Sequence, residues 1–151
     1  MRALHVLGRT IFGAFFVYNG LNHFLNKEMM SRYAASKGVP NPEAAVQASG
    51  SLALAGGLSL LAGLKPRQGL LAIIAFLAPV SLQMHRFWDI DDPQQRAAEM
   101  VHFLKNVALI GAALALLGIE EPWPASVDML RAPEEDLYIQ IGGRELRRLP
   151  A

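Results

Sequence analysis

Nineteen consecutive residues, Val46 to Leu64, carry no charged side chain. A helix needs roughly 20 apolar residues to cross a hydrocarbon core of about 30 Å, so this run fits a membrane better than a globular interior. A second run, Val107 to Ile119, is broken only by glycines. Two further segments of similar length hold a few polar residues. The sequence predicts spans at residues 4–25, 46–64, 69–88 and 101–119. The fold class expected is all-α, a four-helix transmembrane bundle running up, down, up and down over residues 1–120. A polar cytoplasmic tail of residues 121–151 follows.

Composition agrees with this reading. The chain of 151 residues is 52% hydrophobic and 18% charged, where soluble domains are nearer a quarter charged. That disfavours a water-soluble enzyme. Cysteine is absent, which removes disulfides, dithiol redox centres, thiolate metal sites and cysteine nucleophiles. Any redox role must borrow its electron carrier. A net charge of +1 gives no basic field for nucleic acid.

The first segment carries His5, Arg9, Asn19, Asn22 and His23. Alone it also fits a surface helix or a signal peptide. The three neighbouring spans, and the lack of an Ala-x-Ala site directly after its apolar stretch, favour an uncleaved helix. Pro79 is expected to kink the third span and free a carbonyl, and Gly56, Gly57 and Gly63 leave room for close approach in the second. Lys65-Pro66-Arg67 is short enough to make its flanking helices antiparallel neighbours. Residues 26–45 are expected to form a longer link.

Seven Lys and Arg on one side, against five on the other, favour both termini in the cytoplasm of a bacterial inner membrane. Pro122-Trp123-Pro124 ends the fourth helix at an interface that suits tryptophan. Leu137, Ile139 and Ile141 alternate before two glycines, as in a small hairpin.

In an up-down-up-down order, the polar residues gather at the outer side. The candidate ligand-binding set is Asn19, His23, His85, Trp88, His102, Lys105 and Asn106, with Asn22, Asp89 and Glu99 as polar partners. On the first helix His5, Arg9, Phe16, Asn19, Gly20 and His23 share one face, which should turn inward because polar groups in hydrocarbon are costly. Histidines titrate near neutrality, Lys105 can pair with Glu99 or an anionic head, the asparagines can donate to a carbonyl, and Trp88 can stack on a flat ring. These are the parts of a quinone head-group pocket.

A plainer reading stands beside each role. Lys105 and Arg86 can snorkel, Trp88 and Trp123 can anchor at the interface, and the histidines and asparagines can staple helices. Arg9 either snorkels to phosphates or closes the pocket from below. No two histidines have the spacing of a helical metal pair, so no metal site is expected.

Gly8-Arg9, Gly20-Leu21-Asn22-His23-Phe24, Lys37-Gly38-Val39-Pro40-Asn41-Pro42, Gly56-Gly57-Leu58, Gly63-Leu64-Lys65-Pro66-Arg67, His85-Arg86-Phe87-Trp88 and Phe103-Leu104-Lys105-Asn106 occur in this order. From about Gly8 to Gly118 the chain resembles the DoxX family of small bacterial four-helix membrane proteins. The resemblance implies a membrane subunit, in some members quinone-linked or tied to thiol redox balance, with a redox partner protein. Many relatives carry a glutamate three residues before the paired glycines, where Ala53 stands here; the role of that acid is either lost or moved to Glu99. Two functions follow: an oxidoreductase-associated subunit that binds a quinone or another flat lipid, or a non-enzymatic scaffold or small-molecule carrier. Whether the chain is itself an enzyme stays open, and a homo-oligomer would be needed for a transport path.

Overall fold

A computed structural model describes residues 2–131; the hairpin expected around Leu137 to Gly143 lies outside them. Every regular element among the described residues is helical. They are α1 (Arg2–Leu25), α2 (Lys27–Ser36), α3 (Pro42–Ala62), α4 (Pro66–Met84), a 3-10 turn (Phe87–Asp89), α5 (Pro93–Leu117) and the short α6 (Val127–Arg131).

Three of the long helices open on proline at the first turn, where its fixed φ is helical and its missing N–H costs nothing. The Asp92 side chain caps α5 by accepting from the Gln95 N–H at 2.7 Å. Gly63 ends α3 at φ 63°, and the Leu64 N–H returns to the Ser59 carbonyl. These signals start α5 eight residues ahead of the expected 101, because polar Gln94, Gln95, Arg96 and Glu99 are good helix formers once capped.

Three helical segments are long and apolar enough to cross a membrane: Pro42–Ala62, Pro66–Asp89 and Pro93–Leu117. α1 has 24 residues but does not join them, since its histidines, asparagines and Arg9 dilute its apolar content. Its predicted inward face is nonetheless real: Arg9, Gly13, Phe16 and Gly20 are its buried residues.

Antiparallel packing of α1 on α3 rests on backbone proximity. A Cβ on Gly20 would lie 2.6 Å from the Leu54 nitrogen, and one on Gly57 2.6 Å from the Gly13 carbonyl oxygen. Gly56, the next residue, faces the other way, where a Cβ would meet the Gly69 carbonyl oxygen of α4 at 2.8 Å. Small residues therefore set both interfaces of α3. The core between these helices holds Phe16, Ala53, Leu60, Leu70, Ile73 and Phe76, and α5 adds Ala113.

The expected link over residues 26–45 contains α2. Lys27 to Ser36 has no glycine or proline, and α2 packs across α3. It roofs one end of the molecule.

Residues 121–131 fold back on the opposite end, which corrects two expectations. Trp123 does not sit at an interface: it is fully buried, with its ring edge-to-face on His5 at 4.9 Å. Arg9 does not snorkel: it is 3% exposed and donates to the Ala125 carbonyl. Asp128 accepts from the Lys65 N–H at 2.6 Å, and Glu121 from the Arg67 N–H at 3.1 Å, so both acids serve the start of α4. Carboxylates are stabilised there by the unpaired N–H groups of a helix N-terminus.

Candidate functional site

Beneath α2 lies a cavity of about 400 Å³ walled by α1, α2, α3 and α4. Its surface is mostly apolar, from Met30, Val39, Val46, Leu52, Phe76 and Val80, while His23, Tyr33, Ser49, Gln83 and His85 supply polar atoms. Pro79 and Ala75 also line it. Proline has no N–H to offer the Ala75 carbonyl four residues back, so the proline of α4 leaves a backbone acceptor at the wall.

His23 enters from the last turn of α1. Its Nδ1 lies 2.7 Å from the Asn19 carbonyl oxygen, and its ring meets Phe76 edge-on at 5.6 Å. His85 caps the end of α4, where the helix gives way to the 3-10 turn. Its Nδ1 is 2.7 Å from Glu99 Oε2, and its ring stacks on His102 with 5.2 Å between centroids. The other Glu99 oxygen accepts from Lys37 Nζ at 3.0 Å. A chain of charge-assisted contacts thus ties α5, through Glu99, to the end of α4 and the end of α2.

A second cavity of about 400 Å³ adjoins the first and shares Gln83 and Met84 with it. Lys37, Arg86 and Asp89 make this one polar. Gln83 and Arg86 both donate to the Lys37 carbonyl at 3.3 Å, and Arg86 lies 3.6 Å from Asp89. The Glu99 hydrogen bond holds the Lys37 ammonium above the usual lysine range, against the partial burial that would lower it.

The structure divides the expected set. His23 and His85 line the apolar chamber, and Asp89 lines the polar annex. Glu99 orients His85 from behind. Asn19 serves through its backbone, its side chain donating to Phe15 within the helix, and the Asn22 side chain accepts from Asn26. Trp88 is 47% exposed and packs on Phe87 and Phe103; it lines neither cavity. His102 and Lys105 are exposed, and Asn106 is buried away from both cavities. Among the described residues no group of three or more His, Asp or Glu side chains is placed to hold a metal ion.

Tyr33 and Met30 of α2, and Lys37 at its end, escaped the sequence reading. Met29, Met30, Tyr33 and Ala34 recur at helical spacing in the expected link, and that period was the available signal.

The model of the family described as DoxX matches residues 4–86, which carries both cavity histidines up to the end of α4 and stops before α5. No curated protein and no solved structure matches the chain.

Proposed function

The chain belongs to the DoxX family, and from that premise we propose that it binds a flat lipophilic molecule, a quinone or another ring lipid, as a membrane subunit of an oxidoreductase system. A partner protein supplies the electrons, since a chain without cysteine has no dithiol redox centre of its own. The observation that carries this reading is the apolar chamber with two histidines in its wall. Ligand sites are concave, mostly apolar and marked by a few placed polar groups, and this one is of ordinary size for them.

In this reading α1 is a fourth span. Its polar face is covered by α3, while Leu4, Leu7, Ile11 and Tyr18 are exposed as lipid-facing residues would be. The chamber then opens at the outer side of a bacterial inner membrane, with both termini in the cytoplasm. A proton released or taken up by the occupant has His85, Glu99 and Lys37 beside it as a route to the polar annex.

Purification in detergent followed by lipid extraction tests the proposal. A quinone should co-purify, and added quinone should raise the melting temperature. If no quinone co-purifies and added quinone leaves the melting temperature unchanged, the proposal fails.

A non-enzymatic scaffold or carrier is the second reading, favoured by the position of Trp88, His102 and Lys105 outside the chamber. It expects alanine at His85 to lower stability without abolishing a cellular phenotype, and deletion of residues 132–151 to abolish it. The reverse pattern supports the first reading.

A further inference from the structure

Most polar atoms of the chamber are free to accept a hydrogen bond. The Asn19 carbonyl can only accept, so the His23 nitrogen 2.7 Å from it, Nδ1, carries the ring proton, and Nε2 keeps its lone pair in the neutral ring. His85 repeats the pattern, with Nδ1 donating to a carboxylate that Lys37 holds on its other oxygen. Gln83 donates one amide N–H to the Lys37 carbonyl, and its oxygen is free to accept. Ser49 donates to the Val46 carbonyl at 3.0 Å. The Ala75 carbonyl lacks a helical donor because Pro79 has no N–H. All five residues line the chamber, and the Tyr33 hydroxyl and the second Gln83 amide hydrogen are the side-chain groups there left to donate.

The charges nearby cancel. Lys37 is paired with Glu99 and Arg86 with Asp89, so no unpaired cation waits for a carboxylate or phosphate headgroup. An occupant that matches these walls is apolar in body, uncharged, and a donor at its head.

We infer that the chamber selects a hydroxyl-bearing lipophile, a phenol or hydroquinone, over the carbonyl form of the same skeleton. This rests on the proposed reading of the chamber as a ring-lipid site, and it adds a preference for oxidation state. A quinone oxygen brought against Nε2 of either ring in its neutral form sets acceptor against acceptor and leaves both desolvated. A hydroquinone O–H in the same place makes a bond. Each such bond, net of the water it replaces, changes affinity by about tenfold or less. The bound couple is thereby poised toward its reduced member, as linkage requires of any site that holds one form more tightly.

Three probes decide the matter: decyl-hydroquinone kept reduced under anaerobic conditions, the corresponding decyl-quinone, and the hydroquinone dimethyl ether, titrated calorimetrically into the detergent-purified full chain. The hydroquinone should bind about tenfold tighter than either of the others. His23→Phe and His85→Phe should each lower hydroquinone affinity toward that of the quinone and leave quinone affinity within about twofold. Gln83→Leu removes an acceptor while leaving every charged side chain of the ion-pair chain in place, and should act in the same direction. Equal binding of hydroquinone and quinone overturns the preference and leaves the ring-lipid reading standing. Failure of all three probes to bind overturns both.

Discussion

The two ends of the molecule spend their polar groups differently. At the end formed by the start of α1 and the α3–α4 turn, Arg9, Asp128 and Glu121 each bond to a backbone group, and Trp123 fills the space between. At the other end His85, Glu99 and Lys37 are consumed by one another, around a void that no side chain fills. Backbone partners are held by the path of the chain itself. Side-chain partners can exchange, and a cavity costs packing that only an occupant restores. The first end is built for stability and the second keeps room for a ligand.

The largest test of that contrast is Trp123→Ala. Emptying the packed end should cost about 3–5 kcal/mol, seen as a lowered denaturation midpoint in detergent, while affinity at the chamber stays unchanged. Coupled losses would mean that the ends are not separable. Glu99→Gln should cost about 1.5–3 kcal/mol by unlinking Lys37 and His85. Folding raises the Lys37 pKa, so the stabilisation is complete below the ordinary lysine range and disappears as pH rises through the higher folded value. Denaturation of the two proteins at pH about 8 and about 11 should therefore show a gap that narrows at the alkaline end. Asp128→Ala removes a cap from the start of α4, and about 1 kcal/mol is expected, together with faster proteolysis near residue 125. Lys105→Ala, exposed and outside both cavities, should stay within about 0.5 kcal/mol and leave ligand affinity alone. A large effect there would reinstate Lys105 in the site.

Hydropathy made α3, α4 and α5 legible, because an 18-residue stretch of high mean hydropathy has few alternatives. It was less decisive for α1, where the residues that signalled a site also weakened the signal for a span. His23 and His85 were placed at one chamber by topology alone: antiparallel neighbours bring the end of one helix to the end of another. Trp88, His102, Lys105 and Asn106 shared that end but not the wall, since sharing an end fixes height in the bundle and leaves rotation about each axis to side-chain packing. Trp123 was misjudged for a related reason. Pro-Trp-Pro marks a chain that stops being helical, and nothing in the triplet says which way it turns next.

Gly56 and Gly57 stand side by side yet serve α4 and α1 respectively. One residue inserted upstream in α3 would turn the following helix by about 100°, swinging both glycines off their neighbours and bulkier side chains onto them. α3 therefore behaves as the indexing element of the molecule, tolerant of substitution on its outer face but not of any change in length. Variation in length within the bundle should be confined to the connections, and the segment before α3, where α2 roofs the chamber, is the one whose lengthening would reshape the cavity without disturbing that index.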